Sequence, residues 1–306
     1  MIVEKIKGEV EKAVVGMDDV VELMTISLIA EGHILLEGIP GIAKTTLSKN
    51  FANTLGLRFI RIQMTPDILP ADILGHTFYD MKTGEFKIRK GPIFANVVLV
   101  DEINRASPKT QSALLEAMEE RQVTIEGVTL KLPEPFIVIA TRNPVELEGV
   151  YNLPAAQVDR FMMKIDLTYL DEEHEKLMLK RKSLGRFSTA RGVVPSSEIL
   201  NARREFRKVH VSDAIIDYIY SIVKETRLDD RVILGASPRA GEHLLLAAKV
   251  HAYLQNRSYV IPDDVKKLAP PVLAHRIIVK AEYEIDNVTG KEIVQDVLDR
   301  VEVPTE

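Results

Sequence analysis

Five short apolar runs fall within the first 170 residues: HILLEG (33–38), FIRIQM (59–64), NVVLVD (96–101), FIVIAT (136–141) and FMMKIDL (161–167). Each has the length of a strand. Their near-continuous apolar character is what parallel strands require when helices cover both faces of the sheet. Between the first two, KTTLSKNFANTLG places Leu47, Phe51 and Leu55 at i, i+4 and i+8 and ends at Gly56. That is the pattern of an amphipathic helix closed by a glycine. Strand, helix and strand in repetition predict a doubly wound α/β layer structure with a five-stranded parallel sheet.

Two segments break the rhythm. Residues 65–92, TPDILPADILGHTFYDMKTGEFKIRKGP, are rich in Pro and Gly and carry a Thr83-Gly84 turn signal. They predict an insertion containing a short hairpin. Residues 123–132 predict a second hairpin, with VTI and VTLKL flanking Glu126-Gly127. After about residue 170 the strand pattern stops. DEEHEKLMLKRK, SSEILNARREFRKVH, SDAIIDYIYSIVKETRL, SPRAGEHLLLAAKVHAYLQN and PDDVKKLAPPVLAHRI all read as helices, several opened by Ser or Pro-Asp start signals. The expected organisation is an α/β core over 1–170 and a smaller all-helical domain over 171–306, joined within 168–196. A chain of 306 residues has room for two such domains.

Composition narrows the chemistry. With 0 Cys, disulfides, thiolate metal sites and a cysteine nucleophile are excluded. Lys+Arg 40 against Asp+Glu 45 gives a net charge of −5, which argues against a surface coated for nucleic acid while allowing a local basic patch. MIVEKIKGEVEK lacks the apolar centre of a signal peptide. No apolar run approaches the ~20 residues that cross a bilayer. The expected location is cytoplasmic.

The run Gly38-Ile39-Pro40-Gly41-Ile42-Ala43-Lys44-Thr45 follows an apolar strand and opens a helix, the context that a phosphate-binding P-loop requires. Glycines let the backbone wrap around phosphate oxygens, and loop N–H groups and the positive helix end face the anion. Lys44 is expected to reach the β- and γ-phosphates, and the Thr45 hydroxyl to ligate Mg²⁺. The strict pattern has Gly where this chain has Ala43. That position is read here as already helical, where a methyl does not clash. The strand VVLV ends in Asp101-Glu102. At the carboxyl edge of a parallel sheet, Asp101 suits the Mg²⁺ shell and Glu102 suits a base for attacking water. FIVIAT runs into Arg142-Asn143-Pro144, and Asn143 is a candidate to orient the same water. Arg160, in VDRFMM, reads by itself as a surface charge or an ion-pair partner.

Together these motifs resemble the AAA+ ATPases, and closely the MoxR family, over nearly the whole chain. The matching pieces are GIPGIAKT, RIQMTPDILPADILG, GPIFANVVLVDEINRASPKTQSALLEAMEERQVT, ATRNPVELEGVYNLPAAQVDRF, GASPRA and LAHRI. The resemblance implies an AAA+ core with a helix-2 insertion at 65–92, a hairpin before sensor 1 at 123–132, and a helical lid. It implies ATP contacts over Gly38, Pro40, Gly41, Ile42, Ala43, Lys44, Thr45 and Thr46, with Val15 and Gly16 packing the adenine. Lys44 and Thr45 match Walker A, Asp101 and Glu102 match Walker B, and Asn143 matches sensor 1. Arg160 stands where a neighbouring subunit's arginine finger is expected, and Arg239 in GASPRA matches sensor 2, acting in its own subunit or the next. Ser237 and Pro238 before it are natural N-cap and first helical residues. Arg105 and Arg142 are secondary candidates for interface arginines.

Other residues read as structural. The 7 His form no HExxH pair, and His243 and His251 are expected to pack or face solvent. Tyr218, Ile219 and Ile222 read as lid core, and the basic stretch 203–208 as a solvated helix face. The family resemblance implies an ATP- and Mg²⁺-dependent machine, a hexameric ring, that remodels or matures proteins beside a von Willebrand factor A domain partner. A nucleic-acid motor is the alternative. The insertion, with Ile73, Leu74, Phe78, Tyr79 and Phe86, and the second hairpin are the elements expected to engage a partner.

Overall fold

The computed structural model describes residues 2–39, 41–144 and 149–304. Two helices, α1 (Ile2–Val10) and α2 (Asp18–Ile29), precede β1 (Ile34–Gly38), α3 (Lys44–Thr54) and β2 (Phe59–Gln63). The insertion follows as α4 (Pro70–Leu74), β3 (Gly75–Asp80) and β4 (Glu85–Lys90). Next come β5 (Val97–Asp101), α5 (Pro108–Glu120), the hairpin strands β6 (Gln122–Ile125) and β7 (Val128–Lys131), then β8 (Ile137–Arg142), α6 (Ala155–Val158) and β9 (Met163–Leu167).

The five apolar runs form one parallel sheet in the order β2-β5-β8-β1-β9. Successive strand residues point to opposite faces. Ile34, Leu36, Val97, Leu99, Ile137 and Ile139 therefore join the core under the first three helices and the lid. Leu35, Val98, Val100, Val138 and Ala140 join a second core with α5 and the hairpins. Burial on both sides is the reason the central strands β5, β8 and β1 show little polar alternation, whereas the edge strands β2 and β9 alternate, with Arg61 and Gln63 on one and Lys164 and Asp166 on the other.

Both predicted hairpins are present. β3 pairs with β4 and β6 with β7, antiparallel in each case. Glu126 (φ 46°) and Gly127 (φ 81°) supply the two left-handed residues of a tight turn, whose twist suits the flanking strands. In the insertion, Phe78, Tyr79 and Phe86 are exposed, and the Tyr79 and Phe86 rings meet edge to face at 5.3 Å. Ile73 differs from the expectation. It is buried in the second core, because α4 packs on α5.

The later helices are α7 (Glu172–Ser183), α8 (Ser196–Glu205) and α9 (Asp213–Leu228). This part of the chain is not all-helical. β10 (Val232–Leu234) leads to α10 (Pro238–Leu254) and α11 (Pro262–Leu273), and β11 (Ile278–Val279) pairs antiparallel with β10 before α12 (Ala281–Ile285) and α13 (Gly290–Arg300). Strands of three and two residues are too short to carry a readable period. Ser212 and Ser237 cap α9 and α10 as their sequences predict, and Tyr218, Ile219 and Ile222 are buried.

The seam between α2 and the lid holds a buried charge cluster. His251 Nδ1 lies 2.5 Å from Asp264 Oδ1 and its Nε2 lies 3.4 Å from Glu22 Oε1. Lys7 reaches Glu22 Oε2 at 2.8 Å, Lys267 also pairs with Glu22, and Arg257 Nη1 donates to Asp264 Oδ2 at 2.7 Å. Arg203 departs from its reading as a solvated cation. It turns inward and donates to the Leu28 carbonyl, capping the C-terminal end of α2, with Glu31 at 3.2 Å. Burial lowers its guanidinium pKa to about 10.

Candidate functional site

Parallel strands deliver all their carboxyl ends to one edge of the sheet. The order β5-β8-β1 sets Asp101, the β8 terminus that runs into Asn143, and Gly38 side by side on that edge. Gly38 is fitted tightly against β9, where a Cβ would stand 2.9 Å from the Leu167 carbonyl oxygen. Gly41 then takes φ 87°, which only glycine adopts cheaply. Pro40 lies outside the described residues.

Ala43 corrects the sequence reading. It is not yet helical but left-handed, with φ 56° and ψ 23°, and it caps α3. The strict motif places glycine here because this turn needs a positive φ. Ala43 holds the turn at some cost. Lys44 opens α3, and its Nζ donates to the Gly38 carbonyl at 2.6 Å, so the side chain folds back over the loop. Burial lowers the Lys44 pKa below the usual lysine value, while Asp101, Glu102 and Glu37 act to raise it. Ile42 and Thr45 are half-buried, and Thr46 is exposed. Val15 is buried. Gly16, at φ 74°, packs under the start of α7, where a Cβ would stand 2.9 Å from Leu170 Cδ2.

The acidic pair is gripped from neighbouring strands. Thr141 Oγ1 donates to Asp101 Oδ1 at 2.6 Å, and Arg61 donates to Asp101 Oδ2 from Nε at 3.0 Å and Nη2 at 2.7 Å. Thr141 Oγ1 also accepts the Glu102 backbone N–H at 2.9 Å. Glu102 itself is left-handed, with φ 57° and ψ 54°, a strained geometry of the kind that collects at functional sites. Its Oε2 accepts from Gln63 Nε2 at 2.8 Å and lies 3.1 Å from Arg105 Nε. Arg61, Gln63 and Thr141 are absent from the sequence reading. Their signal is their place on β2 and β8, which flank β5. That signal becomes usable only once the strand order is known.

Arg142, a secondary candidate for an interface cation, is tied across the sheet to Glu37 Oε2, from Nε at 3.0 Å and Nη2 at 2.5 Å. Arg105, the other, lies against Glu102 of its own chain. Both are thus ion-paired to acids of the P-loop edge within one chain.

Arg160 and Arg239 lie elsewhere. Both contact Glu119, Arg160 from Nε at 3.0 Å and Arg239 from Nη2 at 2.7 Å. Glu119 belongs to the last turn of α5, which starts near Asp101 and runs back along the sheet for 13 residues, about 20 Å. The cleft around the two arginines is lined by Glu31, Gly32 and His33, which precede β1. The arginines therefore occupy the edge opposite the P-loop. Asp159 fastens this region to the lid, accepting from Arg276 Nε at 2.7 Å and Ser237 Oγ at 2.8 Å. Burial acts to raise the Asp159 pKa, but the Ser237 hydroxyl and Arg276 guanidinium hold it below the usual carboxylate value.

Among the described residues no cluster of three or more His, Asp or Glu is arranged to hold a metal. His243 Nδ1 accepts from Arg276 Nη2 at 2.7 Å, and burial lowers the His243 pKa to about 3. Thr45 and Asp101 are hard oxygen donors at the phosphate edge. This set suits Mg²⁺ held largely by phosphates, since that ion rarely uses an all-protein cage. No helix among the described residues is long and apolar enough to cross a membrane.

Comparison with known proteins gives the family. Residues 33–163 match the ATPase family associated with various cellular activities (AAA), and residues 224–297 match the AAA lid domain. YeaC of Bacillus subtilis is 45% identical over 97% of this chain and 93% of its own length. The chaperone MoxR1 of Mycobacterium tuberculosis is 41% identical over 97% of this chain and 81% of its own. A crystal structure of a Cytophaga hutchinsonii protein superposes with a TM-score of 0.91 at 43% identity, covering 99% of this chain and 95% of that one. The chain is an ATPase and belongs to the MoxR family of AAA+ ATPases.

Proposed function

We propose that this chain works as a ring, hexameric by family resemblance, in which each subunit's nucleotide is completed by arginines of the next and hydrolysis remodels a partner protein. The observation that carries this reading is the position of Arg160 and Arg239 on the sheet edge opposite their own P-loop. Strands of about five residues separate the edges by roughly 15 Å, beyond the reach of an arginine side chain. Cations placed there serve another subunit, which favours action in trans for Arg239 as well as Arg160.

Within one subunit the roles divide by chemistry. The loop 38–44 and the α3 N-terminus present N–H groups to the phosphates, and Lys44 exchanges its Gly38 carbonyl for them. Thr45 and Asp101 would hold Mg²⁺, which when bound neutralises charge on the β- and γ-phosphate oxygens. Glu102 takes the proton from attacking water, held in aim by Gln63. Asn143, one residue beyond β8, orients that water. Core residues 1–170 and lid residues 171–306 are read as the two bodies whose relative motion transmits the work.

A cytoplasmic setting and a partner with a von Willebrand factor A domain belong to the same reading, as does chaperone activity, which MoxR1 carries in its name. The exposed Phe78, Tyr79 and Phe86 make the β3–β4 tip the partner-facing element. The test follows ATPase rate per subunit against protein concentration, for the natural sequence, K44A, E102Q and R160A. Rate should rise as rings form. K44A should lose ATP binding, whereas E102Q and R160A should bind ATP and turn over poorly. Full activity per subunit in a demonstrably monomeric sample refutes the ring. Replacing 79–86 by a two-residue turn should spare basal hydrolysis and abolish stimulation by a von Willebrand A partner. Stimulation by DNA that falls steeply with salt would instead favour a nucleic-acid motor.

A further inference from the structure

We propose that Glu119 is the positioning residue that presents Arg160 to the neighbouring subunit's nucleotide. This rests on the reading that Arg160 acts across a subunit boundary. One carboxylate here serves two cations on separate oxygens: Oε2 lies 3.0 Å from Arg160 Nε, and Oε1 accepts from Arg239 Nη2 at 2.7 Å. Arg160 comes from the core and Arg239 from the first turn of α10. Glu119 therefore fixes the spacing of two like charges that would otherwise repel.

The atom used on Arg160 matters. Nε lies at the base of the guanidinium, and the two terminal nitrogens form the fork that matches a phosphate. The Nε contact is an ion pair without hydrogen-bond geometry, Nε being the guanidinium atom nearest the carboxylate, and no hydrogen bond among the described residues engages the fork. Anchoring through Nε leaves the phosphate-binding end presented. It also removes in advance much of the side-chain freedom that a loose arginine loses on each docking. Arg239 is gripped differently, with Nη2 on Glu119 and Nη1 3.5 Å from Asp159. It holds Glu119 in orientation from the lid side.

Helix stability gives Glu119 no reason to be acidic. The last turn of a helix favours cations, yet α5 ends in Glu119-Glu120 with no basic residue in that turn. Near its other end α5 is tied to the backbone just after the strand-end acids. Gln111 Nε2 donates to the Ile103 carbonyl at 3.1 Å, one residue beyond Glu102. A single helix thus joins the base of one site to the anchor of the arginine serving the next.

The test uses mixed assemblies of the full chain. K44A subunits bind no ATP but carry Arg160, and R160A subunits bind ATP but lack the finger. An equimolar mixture should hydrolyse ATP well above the mean of the two alone. Adding E119Q to the K44A subunit should cut that regained rate by about ten- to a hundredfold, the scale of a displacement near 1 Å. Adding it to the R160A subunit should cost nothing further. E119D, shorter by one methylene, should fall between. ATP affinity, by fluorescent-nucleotide titration, and assembly, by sedimentation, should stay unchanged. Equal losses on either subunit, a faster rate with E119Q, or failure of both E119Q and E119D to assemble overturns the role of Glu119. No regained rate from two assembling variants refutes action in trans, and the proposal with it.

Discussion

Ala43→Gly should stabilise this protein, although alanine-to-glycine changes usually destabilise. Ala43 sits at φ 56° and ψ 23°, and an L-residue in that region costs about 1–2 kcal/mol relative to glycine. Two terms oppose the gain. Glycine makes the unfolded chain freer, which costs about 0.4–1 kcal/mol. Losing a half-buried methyl costs about 0.4 kcal/mol, half the value of a fully buried one. The balance is a gain of about 0.5 kcal/mol. Ala113, half-buried inside α5, supplies the contrast. There glycine relieves no strain and costs about 1 kcal/mol. The two substitutions should differ by about 1.5 kcal/mol, well above the error of a urea midpoint determined side by side with m held constant. If Ala43→Gly destabilises as much as Ala113→Gly, the turn before Lys44 is not left-handed in the free protein, and the strain argument fails.

The buried cluster at the lid seam predicts a pH optimum for stability. Burial acts to lower the His251 pKa, but Asp264 and Glu22 raise it above its ordinary 6.5, so its contribution is whole below 6.5 and fades as pH rises through the folded value. Burial acts to raise the Asp264 pKa, but His251 and Arg257 hold it at about 2 against an ordinary 3.8. That carboxylate's contribution is whole above pH 3.8 and is lost as pH falls towards 2. With Glu22, Lys7, Lys267 and Arg257 as the other facing charges, this cluster should stabilise most between about pH 4 and 6.5. His251→Asn should flatten the decline above 6.5, as urea midpoints at pH 5 and pH 8 will report. Gly91→Ala should loosen the insertion, because a Cβ there would stand 2.2 Å from the Ile73 carbonyl oxygen. The expected cost is about 1–3 kcal/mol, seen as earlier proteolysis between β4 and β5 with ATP affinity retained.

What the sequence made legible was what chain-local physics controls. The three central strands were readable because two-sided burial leaves continuous apolar runs, the two edge strands because their apolar residues recur at every second position, and both hairpins because their turns need Gly or another residue tolerant of positive φ. The N-cap at Ser237 was readable for the same reason, since it depends on three adjacent residues. Relations between elements were not readable. Thr141 steers both Asp101 and the Glu102 backbone, but only because β8 lies beside β5. Arg203 looked like one cation in a basic helix face, and the end of α2 that draws it inward lies 175 residues away in sequence.

Ala43 and Glu119 mark the limit from two directions. At Ala43 the motif departed from its strict form, and the sequence could name the departure but not its consequence, because a backbone angle decides it. At Glu119 nothing departed from any pattern. One more acid on a helix rich in polar residues carries no signal until Arg160 and Arg239 are seen on its two oxygens. The residues proposed to do chemistry on the nucleotide sit at strand ends and loops, where the motif fixes their spacing. Those proposed to tie one site to another sit at helix ends, where only the packing of distant segments sets their company. Under the proposed ring, coupling between subunits is therefore the part of this enzyme's function that must be read from its fold.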